Sequence, residues 1–326
     1  MKSGTISIDI LIPCFNESSF LNELFEVLLK EELAWGPGFN VIFSDNDSKD
    51  NSVEITKSYL GKFQNLKILR QEINVGSRGN WASLLEVSKG DYFMFIDAHD
   101  LVTPGYFSEL KSRILQNDGG IILMGSKQKM IVSGGAVSIK PDNYQYKFSK
   151  SPRIRFWQCV FYLSHCTEIH SAFPASCRNA DVISKSLTFN YDHTYMFYAL
   201  LDHTIQYIDG GGYVRRYWES SDSNYSHKNS TGVSETRLER AVGAQSKIVS
   251  NKTMSDEVIQ RWSEILTTFE KRIAHKLLFA KYNTKYESGL FFRGSRFLFG
   301  SLTPWKISSP NQKLISRVRN VRNAEI

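Results

Sequence analysis

Two hydrophobic periods alternate along the first hundred residues. Residues 6–12 form a short apolar run of strand length, and from about Ser19 the apolar side chains Phe20, Leu21, Leu24, Phe25 and Leu28 recur three and four apart, as on one face of a helix. Gly36-Pro37-Gly38 breaks that helix. Residues 39–44 read as a second strand, and Asn51 with Glu54 three positions on has the form of a capping box for a helix carrying Val53, Thr56, Tyr59, Leu60 and Phe63. Residues 66–69 are a third strand. Asn74-Val75-Gly76 then leads into a helix with Trp81, Leu84 and Leu85, closed by Gly90, and Tyr92-Phe93-Met94-Phe95-Ile96 reads as a buried strand. Repeated strand–helix units of this kind predict a parallel sheet with its ligand site at the carboxyl ends of the strands.

Beyond residue 100 the pattern loosens. Thr103-Pro104 is a helix start, with threonine as cap and proline at the first position, and Tyr106, Phe107, Leu110 and Ile114 supply the apolar face. Residues 121–124 read as a strand, and 128–150 as a hairpin excursion around Gly134-Gly135 and Pro141. Residues 152–164 and 192–201 read as helices, and 204–208 as a strand that turns at Gly210, Gly211 and Gly212. Residues 220–232 are polar and read as a mobile segment, and a helical pattern from about Ser234 reads as a separate element.

Composition narrows the class. At 326 residues with 41% hydrophobic content, the chain is long enough for a large globular core. It holds no apolar run of spanning length and no charged-then-apolar leader, and its four cysteines, Cys14, Cys159, Cys166 and Cys177, show neither a CxxC pair nor zinc-ligand spacing. The expectation is a cytoplasmic protein with reduced thiols. The net charge of +7 is matched by residues 281–326 alone, where nine basic side chains face two acidic ones. Such a patch points to an anionic surface, and no nucleic-acid-binding motif accompanies it. The segment from Leu290 to Phe299 mixes aromatics with Arg293 and Arg296; it reads either as a peripheral attachment to the inner face of an anionic membrane or as a docking helix.

The candidate chemistry lies in the loops after the strands. Asp97-Ala98-His99-Asp100 follows the fourth strand, and side chains two apart in an extended segment point the same way, so Asp97 and His99 address one point where a divalent cation fits. The alternative is a polar loop capping the next helix. After the second strand, Asp45-Asn46-Asp47-Ser48 offers an amide that both donates and accepts and a carboxylate that accepts, which suits the edge of a nucleobase; an Asx-turn is the alternative. Pro13-Cys14-Phe15-Asn16-Glu17 follows the first strand, where Asn16 and Glu17 serve either a ligand or the first helix as caps.

These loops, in this order, resemble the donor half of family 2 glycosyltransferases with the GT-A fold. Asn74-Val75-Gly76 through Asn80 and Lys89-Gly90-Asp91-Tyr92 continue the likeness, which is close over residues 5–110 and looser over 110–220. The resemblance implies an α/β protein with a Rossmann-like, mostly parallel central sheet flanked by helices and a helical C-terminal extension. Its expected divisions are residues 1–110 for the nucleotide-sugar half, 111–232 for the acceptor and catalytic half, and 233–326 for the basic extension.

The same resemblance implies transfer of a sugar from a nucleoside diphosphate (UDP, dTDP or GDP) to a glycan or lipid-linked glycan, with inversion and with Mn²⁺ or Mg²⁺. Donor binding is expected from Pro13, Phe15, Asn16, Glu17, Asp45, Asn46, Arg78, Asp97 and Ala98, and metal binding from Asp97 and His99. The motif departs from the family at His99, where a second aspartate is common; imidazole is a good ligand for Mn²⁺, and Asp100 is a further carboxylate. His170, His193 and His227 are candidates for a third ligand. Asp192, at the start of a helix, matches the catalytic base by position, although the glutamate that often precedes it is absent, and His193 is the alternative base. The segment around His170-Ser171-Ala172-Phe173-Pro174 lies on the expected acceptor side. Arg215-Arg216-Tyr217-Trp218 is expected over the donor phosphates, with Arg216 and Trp218 as the contacts. The competing expectation is a non-catalytic sugar-nucleotide-binding relative. A nucleotidyltransferase would need a glycine-rich basic loop after the first strand, which Leu11 to Glu17 is not.

Overall fold

The computed structural model describes residues 5–116, 121–133, 136–141, 148–162, 167–185, 191–218, 261–262, 264–268 and 270. The polar segment 220–232, the basic segment 281–326 and most of the expected C-terminal extension lie outside the described residues. Strands β1 (Ile8–Cys14), β2 (Phe39–Asp45), β3 (Leu66–Arg70), β4 (Tyr92–Phe95) and the two-residue Phe173–Pro174 make one sheet, in the order 3-2-1-4 with the short strand at the edge. The first four are parallel, as the strand–helix alternation predicts, and Phe173–Pro174 runs antiparallel to β4. β1 lies at the centre, and Ile8, Ile10, Leu11 and Ile12 are fully buried, because helices cover both faces of such a sheet.

Helix α1 (Ser18–Trp35) buries Leu21, Leu24, Phe25 and Leu28, the stripe the sequence marks, and stops at Gly36, whose φ of 77° suits only glycine. Helix α2 (Ser52–Lys57) is shorter than expected, and Asn51 makes no side-chain cap. The neighbouring Asp50 takes that role, accepting from the backbone and hydroxyl of Ser52 and, across the loops, from the first N–H of α1 at Ser18. Tyr59 and Phe63 are buried from the turns that follow, while Leu60 is exposed. Helix α3 (Gly76–Val87) buries Trp81, Leu84 and Leu85 as predicted.

The start of helix α4 (Tyr106–Gln116) differs from the expected threonine cap. Buried Glu31 from α1 accepts the N–H groups of Gly105 and Phe107, while Thr103 Oγ1 accepts from Gly212 instead. A carboxylate at a helix N-terminus satisfies orphan donors and the dipole together, so it displaces the weaker hydroxyl.

A second sheet contains β5 (Leu101–Val102), β6 (Ile122–Ser133), β7 (Ala136–Pro141) and a long strand, Ile205–Trp218. β6 and β7 form the predicted hairpin. The long strand corrects the expected turn at Gly210, Gly211 and Gly212, for it runs through them and pairs in parallel with β6, with a register shift between Met124 and Ser126. The glycines answer a need for space. A Cβ on Gly212 would lie 1.7 Å from the Ser126 carbonyl oxygen, and one on Gly211 would lie 3.0 Å from the Tyr106 Cα. Helices Pro152–Tyr162 and Tyr191–Asp202 complete the second half, held together by buried Arg155, which donates to the carbonyls of Leu200 and Leu201. Trp262 packs on this pair against Phe156 and Phe197.

Gly212→Ala should destabilise the protein by at least about 1–3 kcal/mol, the usual cost of forcing volume into a packed site. Thermal unfolding measures this. A melting temperature unchanged by the substitution would contradict the close approach of the two strands.

Candidate functional site

The carboxyl ends of β1, β2 and β4 open into a cleft of about 530 Å³. Pro13, Cys14, Phe15 and Glu17 line it from the loop after β1, and Asn46 from the loop after β2. Asn74, Ser77, Asn80 and Trp81 line it from the start of α3, and Asp97 and His99 from the loop after β4. The second half of the protein adds Ile169, His170, Tyr191, Asp192 and Arg215. The loops expected to act together therefore share one cleft with Asp192.

The first two loops are built around each other. Asn16, at φ 56°, donates its backbone N–H to Ser48 Oγ and accepts from the Lys49 N–H at 2.7 Å, so its side chain ties loop to loop. The Asn46 amide donates to Asn74 and accepts from the Val75 N–H at 2.9 Å, which fixes the Asn-Val-Gly turn. Both amides were expected at a ligand, and both have protein partners. Asp45 differs. Its Oδ2 accepts from the Ser48 N–H, but its buried Oδ1 has no hydrogen-bond partner. Phe15 stands 45% exposed at the cleft.

The loop after β4 is held from below by Tyr213 on the long strand. Its hydroxyl donates to Asp100 Oδ2 at 2.6 Å and accepts from the Asp97 N–H at 3.3 Å, and its ring stacks on His170 with centroids 4.1 Å apart. Asp100 Oδ1 accepts the Arg216 N–H, so this fully buried carboxylate joins the loop to the strand. Asp97, Asp100 and His170 each bring a ligand atom within 4.8 Å of the others. Two ligands of one ion, each roughly 2.1 Å from it, sit about 3–4 Å apart. Asp97 Oδ2 and His170 Nε2 are 3.7 Å apart, too far for a hydrogen bond and right for a shared ion. Since the Phe95 carbonyl can only accept, His170 Nδ1 carries the proton of their 3.1 Å bond and Nε2 keeps its lone pair toward Asp97. A metal-bound histidine has this backbone-anchored form. Burial also pulls the His170 pKa down, which keeps the ring neutral.

His99, the expected partner of Asp97, faces elsewhere. Its Nδ1 is 2.8 Å from Glu17 Oε1, and its Nε2 is 3.7 Å from Asp100. Burial opposes its charge, yet the Glu17 hydrogen bond and the Asp100 and Asp97 carboxylates outweigh burial and lift the pKa to about 9. In the ion-free site this pairing favours the protonated ring, with Nδ1 turned to Glu17. Burial raises the Glu17 carboxyl in turn, and its Oε2 has no partner.

The paired arginines divide by strand alternation. Arg215 lines the cleft, whereas Arg216 turns away: its Nε donates to the His99 carbonyl, its Nη1 pairs with Glu23, and its guanidinium lies 4.9 Å above the Phe20 ring. Arg216 thus braces the loop from behind. Arg78 is half-buried on α3 and is not among the residues lining the cleft, and Ala98 is fully buried in the core. The side chains of His193 and Trp218, and all of His227, lie outside the described residues. From the sequence His170 is one of three histidines, Trp81 is helix core, Tyr213 is not singled out, and of the expected arginine pair the contact falls to Arg216 where the fold presents Arg215. Alternation along the long strand is the signal that puts Tyr213 and Arg215 on the cleft side, and a turn at the glycines hides it.

Residues 9–170 match the description Glycosyl transferase family 2. The chain is 30% identical over 118 residues to an uncharacterized glycosyltransferase, YibD, of Escherichia coli, covering 36% of this chain and 33% of that one. It is 26% identical over 98 residues to a poly(ribitol-phosphate) beta-glucosyltransferase of Bacillus spizizenii, covering 30% of this chain and 15% of that one. The chain thus spans a third or less of these relatives' length. In fold it is similar to residues 1–349 of TarS of S. aureus, solved in complex with UDP-GlcNAc, at a TM-score of 0.53 and 16% identity over 83% of this chain and 76% of that one.

The His99 shift predicts a pH dependence of stability. A folded pKa above the ordinary value means the Glu17–His99 contribution is full below about 6.5 and is lost as pH rises toward about 9. In a chelator, the melting-temperature difference between wild type and His99→Gln should shrink across that window. A difference that is flat or grows would contradict the imidazolium.

Proposed function

We propose that this chain, which belongs to glycosyl transferase family 2 through residues 9–170, moves a sugar from a nucleoside diphosphate to a hydroxyl of a glycan acceptor, in a single inverting displacement. The observation that carries the reading is the cleft itself, where Asp97, His170, Arg215 and Asp192 converge at the carboxyl ends of the strands of a GT-A sheet. The unpartnered Asp45 Oδ1, fully buried next to the lining residue Asn46, would suit an N–H of a base such as uracil that reaches it, and exposed Phe15 offers the base a ring face. A UDP, dTDP or GDP donor fits these features.

The donor set fits a divalent cation. Asp97 and neutral His170 would hold it, and Asp100, whose oxygens already accept hydrogen bonds from Tyr213 and Arg216, would lend its buried charge. Oxygen and imidazole donors suit Mn²⁺, with Mg²⁺ the harder alternative. When bound, such an ion neutralises charge on a departing diphosphate. Arg215 presents a guanidinium to the same phosphates, which a planar fork can pair in bidentate fashion. Asp192, in the first turn of its helix, takes the proton from the acceptor hydroxyl as that oxygen attacks the anomeric carbon, and the bond to the diphosphate breaks. The acceptor belongs to a surface polysaccharide or glycoconjugate, lipid-linked acceptors included. The basic segment 281–326 supports attachment to an anionic membrane surface at the cytoplasmic face. No helix among the described residues is long and apolar enough to cross a membrane.

Purified full chain with Mn²⁺ should release nucleoside diphosphate from at least one member of a panel of UDP-, dTDP- and GDP-sugars when acceptors are supplied. Release from none would overturn the enzymatic reading. Asp192→Asn should lower turnover by about 10²–10⁴-fold with donor affinity nearly intact. Unchanged turnover would remove Asp192 from the chemistry. Asp97→Ala and His170→Ala should each weaken Mn²⁺-dependent nucleotide binding by about tenfold or more, measured by calorimetry. Undiminished binding in either variant would sink that ligand.

A further inference from the structure

The cleft has an aromatic corner that the donor chemistry leaves unused. Trp81 is stacked on Phe95, with centroids 4.2 Å apart at 20°, and meets His170 edge-on, so its orientation is fixed. Tyr191 stands across it in a T-shaped contact at 5.5 Å, with its hydroxyl hydrogen-bonded to Ser77. Both rings line the cleft, with Trp81 buried as the backing and half-buried Tyr191 as the accessible ring; Ile169 lies with them, and Tyr191 immediately precedes Asp192.

Two physical features define what this corner accepts. A pyranose has one face rich in C–H groups, and such a face packs on the electron-rich face or edge of an aromatic ring while its hydroxyls remain free at the rim. Rings already held by Phe95 and Ser77 lose little freedom when a ligand arrives, so the contact goes further toward binding. A sugar seated on Tyr191 has its hydroxyls beside the Asp192 carboxylate. The charges point the same way. Glu17, paired with His99, lines the cleft with Asp97, Arg215 and Asp192, so the Asp192 carboxylate is the charge beside the reacting hydroxyl. A polyol phosphate chain carries a negative charge in every unit and has no ring face; here it would meet a carboxylate at the reacting hydroxyl, with Arg215 engaged by the donor phosphates.

We infer that the Trp81–Tyr191 corner seats the apolar face of a neutral pyranose, so that the acceptor is a sugar ring and not a polyol phosphate chain. This assignment rests on the glycosyltransferase reading for the location of the acceptor, and its test does not require turnover. Saturation-transfer NMR on the full chain with UDP and Mg²⁺ would compare methyl pyranosides with ribitol 5-phosphate. The expected result is transfer to the ring C–H protons of at least one pyranoside, lost in Tyr191→Ala, retained in Tyr191→Phe, and absent for ribitol 5-phosphate. Tyr191→Leu, which keeps apolar bulk but no ring, should also lose at least tenfold in pyranoside affinity and serves if the alanine variant does not fold. A stronger signal from ribitol 5-phosphate, no signal from any pyranoside, or pyranoside binding that is indifferent to all three substitutions would overturn the assignment. A chain that binds pyranosides through Tyr191 yet releases no nucleoside diphosphate would instead refute the transferase reading.

Discussion

A carboxylate with no access to water holds the site together. Asp100 sits at the end of the loop after β4 and accepts from the Tyr213 hydroxyl and the Arg216 N–H, both on the long strand of the other sheet. An isolated buried carboxylate would be expensive, and this one is tolerable because donors from two residues and the neighbouring His99 cation surround it. Through Tyr213 the same bond sets the Asp97 backbone and the plane of His170. Remove it and the loop keeps the Asp97–Tyr213 and His99–Arg216 bonds to the strand but loses the acceptor that fixes the Tyr213 hydroxyl between Asp97 and His170. Burial lifts the pKa of Tyr213 well above the phenol range, so Tyr213 keeps its proton to donate; burial pushes the Asp100 carboxyl up as well, against the charged form that the His99 ring favours.

The other loops follow the same economy of mutual support. Asn16 binds the loop after β2, Asn46 binds the turn before α3, and Asn80 binds Ser44 and so fixes the end of β2. These are polar residues at strand ends, where exposed backbone groups need partners. Their effect is preorganisation: the walls of the cleft are set by protein–protein hydrogen bonds, and Asp45 Oδ1 and Glu17 Oε2 are left as buried acceptors without donors. Glu17 lines the cleft, so a ligand that supplies a donor there gains without first having to order the loops, whereas Asp45 is fully buried and is not among the lining residues.

Much of this was legible in the sequence, and what was not had a physical cause. The continuous apolar runs of β1, β2 and β4 and the helical stripe of α1 gave the parallel sheet, because burial on both faces leaves no other pattern. The three loops fell at strand ends as predicted. The Thr103 cap failed since Glu31, 74 residues away from Gly105, offers a charged acceptor, which no local pattern reveals. The glycine turn failed for a similar reason, since the demand on Gly212 comes from Ser126, far away in sequence. His99 drew attention by its place two after Asp97, but Glu17 engages it first. The partner that converges on Asp97 is His170, brought by the edge strand that pairs with β4, and only the fold makes that pairing visible.

Asp97 and His170 converge on one point, where the proposed function puts a divalent ion beside the diphosphate of a nucleotide. Crystals of the full chain grown with Mn²⁺ and UDP, with diffraction recorded at a wavelength sensitive to manganese, test it most directly. An anomalous peak bonded to Asp97 and to His170 Nε2, with His99 still on Glu17, is the predicted result. A peak bonded to His99, or no peak in the cleft while nucleotide is bound there, would contradict it.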